Sequence, residues 1–291
     1  METSLTYLKT IYIRKFMKKI ILCLLFSLSS LANIVSIYKT ETKSFISYEN
    51  FINELNDSGY IVLGEFHNFE NIQTAQARII KDKTLSSNST ESVQIMWEFI
   101  NHTDQESINT KFNAFVNGRT NSVSFVSEIA GKQNISYAPI MEVAKEFNSA
   151  PIALNLPREL KKKVMEGGIL AIDPKYIPAH HYVGGDQYRE RFSNAMGGHM
   201  PPQSFEKYFL AQCLTDSVMS DIANKNELNL NFIIAGSFHT DFFDGTVSRL
   251  KEINSSKVTT LKITNNELFD SEFITGSEDF GSYADYIVIT E

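Results

Sequence analysis

The chain has 291 residues, with 34 acidic against 27 basic side chains and a formal net charge of −7 at pH 7. An acidic surface repels phosphate groups, which argues against nucleic acid or an anionic membrane as the main partner. Hydrophobic residues make up 43% of the chain. A chain of this length and composition can bury the core of one large domain.

The first 32 residues have the pattern of a secretory signal peptide. A basic lead precedes an apolar run over 20–28, and Ser30-Leu31-Ala32 has the small residues of a signal-peptidase site. The run is shorter than the about 20 residues that a membrane span needs. We expect translation from Met1 or Met17, cleavage after Ala32, and export to the periplasm or cell envelope. A buried N-terminal helix is the alternative interpretation.

Cleavage would leave residues 33–291, which we expect to form a single domain. Cys23 lies inside the leader, and bulky Leu22 precedes it where a lipid-attachment site needs a small residue. No lipid anchor is therefore predicted. Cys213 would be the remaining cysteine, which excludes an internal disulfide in the mature chain.

Apolar runs and amphipathic stretches alternate along the rest of the chain. The apolar runs predict strands over Tyr60–Leu63, Val93–Glu98, Pro151–Asn155, Asn231–Ala235, Val258–Thr264 and Asp285–Thr290. The amphipathic stretches predict helices over Glu70–Lys81, Asp104–Asn117, Pro139–Asn148, Pro157–Glu166, Ser204–Asn224 and Asp244–Ile253. The first four strands are continuously apolar, which is typical of parallel strands buried on both faces. The pattern predicts a three-layer α/β fold, with a mostly parallel central sheet and helices on both faces.

The section 173–203 has no clear period and contains many Pro, Gly, Tyr and His residues. A loop of this length inside a compact domain is usually functional. We predict a partly helical lid or insertion, with a short helix over Asp186–Met196.

Ligand-type side chains follow the first four predicted strands. Glu65 and His67 follow the first strand, and Glu98 ends the second. Asn155 and Arg158 come after the third, and Ser237, His239 and Asp241 come after the fourth. The carboxyl ends of parallel strands meet at one edge of a sheet, so we expect these side chains to share a cleft. Either G-x-x-H motif alone fits a histidine that merely closes a strand. The pair of motifs together with Glu98 favours a functional site.

Two kinds of chemistry suit two imidazoles and two carboxylates. They can hold a divalent metal such as Zn, Mn or Fe. Without a metal, the carboxylates can orient the histidines for acid–base catalysis. Glu65, His67, Glu98 and His239 are therefore the predicted catalytic and metal-binding residues.

Two other groups of residues leave alternatives open. Gln212 and Asp216 lie one turn apart on an otherwise apolar helix, where they either face the site or tie the helix to a loop. Tyr182, with Arg189 and Arg191 nearby, fits a site for a flat anionic aromatic ligand, but an ordinary solvated loop is the favoured interpretation.

Five stretches in this order resemble the haem-binding uptake proteins of the ChaN type, in the superfamily of the Tiki, TraB and erythromycin-esterase proteins. They are "VLGEFHN", "MWEF", "YAPIMEVAKEFNSAPIALNLPREL", "FLAQCLTDSVMSDIA" and "FIIAGSFHTDFFDGTVSRL", which together extend from about Tyr60 to Leu250. The resemblance implies a three-layer fold in which the two G-x-x-H motifs meet in one cleft.

The resemblance also implies a ligand and partners. Proteins of this type are associated with haem at a dimer surface and with iron acquisition, and a tyrosine is thought to hold the iron. A homodimer and iron-uptake components of the envelope are thus expected partners. No motif places the tyrosine, so Tyr137, Tyr182 and Tyr188 are the candidates. Arg158, Arg189 and Arg191 are the candidate partners of the haem propionates. The alternative function is a metal-dependent hydrolase of the Tiki or erythromycin-esterase kind, acting through the paired G-x-x-H cleft.

Overall fold

A computed structural model describes residues 34–179 and 181–291. The predicted signal peptide and His180 lie outside the described residues. The described residues form eight strands, β1 to β8 in chain order, over Ile34–Lys39, Ser44–Ile46, Gly59–Glu65, Val93–Asn101, Ile152–Asn155, Leu230–Gly236, Val258–Asn265 and Tyr286–Thr290. They also form the helices α1 to α10, over Tyr48–Glu54, Glu70–Ser86, Gln105–Val116, Ser122–Ala130, Ala138–Glu146, Arg158–Gly167, Asp186–Ala195, Pro202–Lys225, Thr246–Ile253 and Glu272–Thr275.

The strands form one mixed sheet in the order β2-β1-β8-β7-β3-β6-β4-β5. The strands from β8 to β5 in this order run parallel, whereas β1 pairs antiparallel with both β2 and β8. The central strands β3 and β6 are buried along their whole length, which explains their continuous apolar sequences. Their register places Glu65 beside Gly236 at the carboxyl edge.

Helices cover both faces of this sheet. On one face, α1 to α5 pack against a large core that includes Leu63 and Phe232. On the other face, α8 and α9 pack against Val62 and Ile233. The predicted three-layer α/β fold is therefore confirmed. None of the helices in the described part of the chain is long and apolar enough to cross a bilayer.

The predicted elements are present with their ends shifted by a few residues. The six predicted strands correspond to β3 to β8, and the helix expected within the long section 173–203 is α7. Strands β1 and β2 and helices α1, α4 and α10 were not predicted. Strand β1 has only two buried residues, Ile37 and Tyr38, and β2 has three residues in all, so neither forms the long apolar run that marks the central strands.

The outer edge of strand β5 is hydrogen-bonded to side chains instead of to another strand. The Gln105 amide accepts a hydrogen bond from the backbone N–H of Ala153 at 2.7 Å and donates one to the carbonyl of Pro151 at 3.1 Å. The imidazole Nδ1 of His102 lies 2.9 Å from the carbonyl oxygen of Asn155. Both side chains come from the segment that follows β4. They satisfy backbone groups that an edge strand otherwise leaves open.

Candidate functional site

A cleft of about 410 Å³ opens where β3, β4 and β6 end. Its polar floor contains the four residues predicted from the two G-x-x-H motifs, Glu65, His67, Glu98 and His239. Its walls are mostly apolar, with Phe66, Phe192, Met196 and Phe238. We call this the central cleft. The structure thus brings these four residues together, as the strand-end argument expected.

Gly236 allows the two motifs to approach each other. Its backbone N–H donates to Oε2 of Glu98 at 2.6 Å. The ring of His67 lies directly above it, so that a Cβ at this position would be 2.5 Å from Cε1 of His67. A larger residue would therefore push the His67 ring away.

The first motif forms a buried carboxylate with a half-exposed histidine. Oε1 of Glu65 lies 3.1 Å from Nδ1 of His67, whose side chain is 41% exposed. Gln73 donates to Oε2 of Glu65 at 2.9 Å, and the Tyr137 hydroxyl donates to Oε1. Burial lowers the pKa of His67, but the hydrogen bond to Glu65 and the charge of Glu98 outweigh burial, so the pKa is raised.

The second motif places a histidine between two carboxylates. Nε2 of His239 lies 3.2 Å from Oε1 of Glu98, and Nδ1 lies 2.6 Å from Oδ1 of Asp216. Tyr188 and Thr246 donate to the two oxygens of Asp216, at 2.5 Å and 2.8 Å. Asp216 therefore faces the site, which decides between the two interpretations that its sequence position left open.

Burial and the carboxylates act in opposite directions on His239. Burial disfavours the imidazolium, but Glu98 and Asp216 outweigh it and raise the pKa of His239 to about 10. Burial likewise opposes the ionisation of Glu98, yet His239, His67 and the N–H of Gly236 lower its pKa to about 2. His239 and Glu98 thus form an ion pair at neutral pH, and both ring nitrogens of His239 are engaged.

This pairing does not support the expected site for Zn, Mn or Fe. Within the described residues, no three His, Cys, Asp or Glu side chains are arranged to hold a metal ion. The physical reason is that most of the ligand atoms already have hydrogen-bond or ion-pair partners. His239 has no free ring nitrogen, Glu65 accepts from Gln73 and Tyr137, and Glu98 accepts from a backbone N–H.

Strained backbone follows both histidines. Asn68 has a φ of 63°, and the consecutive residues Phe242 and Phe243 have φ values of 63° and 59°. Residues other than glycine rarely adopt this left-handed conformation. Surrounding contacts hold it: the N–H of Phe242 donates to the carbonyl of Tyr283 at 2.8 Å, and their ring centroids are 4.1 Å apart. Such strain often accompanies functional sites.

The structure separates the three candidate tyrosines from the cleft surface. Tyr137 and Tyr188 are fully buried and donate their hydroxyls to Glu65 and Asp216. Burial, followed by these carboxylates, raises the pKa of both tyrosines. The hydroxyl of Tyr182 accepts from its neighbour's backbone, the N–H of Gly185, at 2.7 Å. In this structure no hydroxyl of the three faces an open ligand surface without a partner.

The arginines considered for the haem propionates have different surroundings. Arg189 pairs with Glu206 at 2.6 Å. Arg191 is buried, donates to the carbonyl of Phe238, and lies 3.7 Å from Asp244. Arg158 is exposed at the first turn of α6 and has no hydrogen bond or ion pair within the described part of the chain.

Arg158 borders a second concave surface, between α6 and α8, with a volume of about 520 Å³. We call it the basic groove. Its lining combines four cations with apolar and hydroxyl-bearing side chains: Arg158, Lys161, Lys162, Met165, Glu166, Ser204, Lys207 and Tyr208. The Tyr208 side chain is 46% exposed. The groove is thus a positively charged concavity on an acidic protein.

The groove and the central cleft share one face of α8. Ser204, Tyr208, Gln212 and Asp216 are spaced four residues apart, so they follow one another along the helix surface. Ser204 and Tyr208 line the groove, Gln212 lines the cleft, and Asp216 binds His239. Sequence reasoning missed the groove. The available signals were this four-residue spacing and the basic run at 158–163.

The sequence model of a family described as "Haem-binding uptake, Tiki superfamily, ChaN" matches residues 51–250. A search of curated proteins finds no match. Among solved structures, "Cofacial heme binding to ChaN of Campylobacter jejuni" is similar with a TM-score of 0.68 and 19% identity, covering 88% of this chain and 96% of that one. At this identity the likeness shows a shared fold.

Two other solved structures are less similar. The type III effector HopBA1 has a TM-score of 0.45 and 10% identity, over 84% of this chain and 92% of that one. A mutant of the erythromycin esterase EreC in its open conformation has a TM-score of 0.44 and 11% identity, over 87% and 82%. Because the family model covers most of the chain, including both G-x-x-H motifs and the helix that joins cleft and groove, the chain belongs to the ChaN family of haem-binding uptake proteins in the Tiki superfamily.

Proposed function

We propose that the protein binds haem at the basic groove and that the phenol of Tyr208 is the ligand of the iron. Membership of the haem-binding uptake family supports the ligand. Cofacial haem binding is described for ChaN of Campylobacter jejuni, which has the same fold. Tyrosine is one of the side chains that hold haem iron in proteins.

The choice of Tyr208 as the iron ligand rests on the exposure of its side chain. Tyr208 is the exposed tyrosine of the described residues, whereas the others are buried or partly buried. Its hydroxyl has no hydrogen bond within the described part of the chain. Tyr208 therefore combines an open approach with a free oxygen, which Tyr137, Tyr182 and Tyr188 do not.

The surroundings of Tyr208 fit a haem. Three groove cations lie on α6 and a fourth, Lys207, precedes Tyr208 on α8. Positive charge attracts an anionic ligand. Met165 adds apolar surface for the ring. The groove thus offers a haem a phenol for the iron, cations for its anionic groups and an apolar side chain for its ring.

The export and uptake role rests on the sequence pattern and the family. We propose that residues 1–32 are a cleaved signal peptide and that the mature protein acts in the periplasm or cell envelope in haem and iron uptake. A homodimer and envelope uptake components are its proposed partners. The geometry does not favour the metal-dependent hydrolase, because the carboxylates and histidines of the central cleft are engaged with one another.

Haem binding is tested by titrating the purified protein with hemin and following the Soret band. We expect a saturable shift at fixed stoichiometry. Tyr208→Phe should change the band and weaken binding by up to about tenfold, since it removes the iron ligand. Tyr176→Phe is the matched control, because its ring packs against His102 outside the groove. No saturable shift would refute haem binding, and an unchanged Tyr208→Phe variant would place the ligand elsewhere.

A further inference from the structure

Most cations of the basic groove have no salt-bridge partner among the described residues. Arg158, Lys161 and Lys207 have no hydrogen bond or salt bridge within the described part of the chain. Lys162 lies 3.8 Å from Glu166, and both side chains are more than half exposed, so this pair neutralises little charge. Four cations around one concavity repel one another, and an anion bound among them would relieve that repulsion.

One of the groove cations, Lys161, lies partly below the protein surface. It is partly buried on the side of α6 that faces α8. Burial lowers the pKa of Lys161, while the charges of Glu98 and Asp216 act in the opposite direction. Neither carboxylate forms a salt bridge with it, and both are paired with His239. The ammonium group thus lacks a salt-bridge partner among the described residues.

The shape and composition of the groove specify the rest of the ligand. The cations come from two helices and thus stand on both sides of the groove, which suits a ligand with more than one anionic group. Met165 and the ring of Tyr208 provide apolar contact between them. The lining fits a molecule with an apolar body and at least two carboxylates.

We infer that the groove recognises the carboxylates of its ligand independently of the iron, so that its ligand class is the anionic tetrapyrroles, metal-free porphyrins included. This inference rests on the proposed haem-binding function. It adds that the carboxylates, paired with Arg158, Lys161, Lys162 and Lys207, provide much of the affinity, and that the bond from Tyr208 to iron adds to it.

Three probes separate these contributions: hemin, metal-free protoporphyrin IX and protoporphyrin IX dimethyl ester. Binding is measured by porphyrin fluorescence or absorption at low and high salt. We expect protoporphyrin IX to bind within about tenfold of hemin and the neutral ester to bind at least about tenfold more weakly. High salt should weaken binding of the two dicarboxylates and leave the ester unchanged, because salt screens exposed charge pairs.

A set of variants tests which cations of the groove contribute to ligand binding. Arg158→Gln, Lys161→Met and Lys207→Gln should each weaken binding of hemin and of protoporphyrin IX by the same factor, up to about fivefold for an exposed pair. Lys163→Gln is the matched control, since Lys163 is on the same helix but does not line the groove. Thermal unfolding of each variant verifies that the fold is intact.

The outcomes distinguish this inference from the proposed function. Binding of hemin without binding of protoporphyrin IX would overturn the inference and leave haem binding intact. Equal affinity for the acid and its dimethyl ester, or unchanged affinity in the groove variants, would also overturn it. Failure of all three probes to bind would refute both the inference and the haem-binding function.

Discussion

The central cleft and the basic groove lie on the same face of α8, yet their charges are in opposite states. In the cleft, His239 is held between Glu98 and Asp216, and Glu65 accepts from Gln73. In the groove, the cations have little or no partner among the described residues. The charged groups of the cleft are paired with one another, whereas most cations of the groove have no such partner among the described residues.

This difference is the reason for proposing the groove, and not the cleft, as the surface that receives a charged ligand. A group that already has its hydrogen bonds gains little from a new partner, whereas an unpaired cation gains a full charge-assisted contact. The conspicuous motifs of the sequence therefore mark a buried ion-pair network that holds the strand ends together. The less conspicuous groove has the charges that remain available.

The largest expected effect is on the network of the cleft. His239→Ala leaves the buried carboxylates of Glu98 and Asp216 without their cation, which should lower the free energy of unfolding by about 3–5 kcal/mol. His67→Ala is the matched control: its side chain is 41% exposed, and we expect a loss of about 1 kcal/mol. Urea unfolding measures both. Equal losses in the two variants would contradict an ion-pair network centred on His239.

The next largest expected effect is a dependence of stability on pH. The pKa of His239 rises from 6.5 to about 10 on folding, so its contribution is complete below pH 6.5 and is lost as the pH rises toward 10. The pKa of Glu98 falls from 4.5 to about 2, so its contribution is complete above pH 4.5 and is lost as the pH falls toward 2. From these two groups, stability should be greatest between about pH 4.5 and 6.5.

Denaturant unfolding across this range measures the window, and His239→Gln should flatten the decline above pH 6.5. A direct check is the NMR titration of the His239 ring in the wild-type protein. Titration of His239 near its ordinary pKa of 6.5 would show that the two carboxylates do not stabilise its charged form.

A smaller effect is expected where the two motifs touch. Gly236→Ala places a Cβ about where the His67 ring lies, so the ring should move and stability should fall by about 1–3 kcal/mol. Displacement from Glu65 and Glu98 should also return the pKa of His67 toward 6.5. NMR titration of His67 measures this shift. Gly185→Ala, which meets only an ordinary contact at negative φ, should leave the His67 titration unchanged.

The smallest effect on stability is expected in the groove. Arg158→Gln and Lys207→Gln should change the free energy of unfolding by less than about 0.5 kcal/mol, because neither side chain has a partner to lose within the described residues. Removal of like charge can even stabilise the protein slightly at low salt. Thermal unfolding at two salt concentrations is the measurement. Losses as large as those in the cleft would mean that the groove cations are part of the folding network.

The sequence predicted the sheet and the meeting of the two motifs for the same physical reason. Continuous apolar runs indicate parallel strands buried on both faces, and parallel strands present their carboxyl ends on one edge. That argument correctly grouped Glu65, His67, Glu98 and His239. It did not show that His239 is held between two carboxylates, because Asp216, one of its two partners, comes from a helix whose packing the strand pattern does not determine.

The groove could not be predicted from the residues that follow the strands. Arg158 was singled out from the sequence, but Lys161, Lys207 and Tyr208 were not, since a lysine or tyrosine on an amphipathic helix is usually an ordinary surface residue. Their importance depends on the placement of two helices that are distant in sequence. Only the packing of α6 against α8, through Val164 and Leu214, brings them to one concavity.

The closure of strand β5 by Gln105 has a consequence for the behaviour of concentrated protein. An open strand edge is a template on which a second molecule can add its own strand and begin an aggregate. Here one amide occupies the N–H of Ala153 and the carbonyl of Pro151, the same groups that an added strand would use. Together with His102, this side chain keeps this border of the sheet from recruiting neighbouring molecules, and Gln105→Ala would reopen part of the template at residues that line neither the cleft nor the groove.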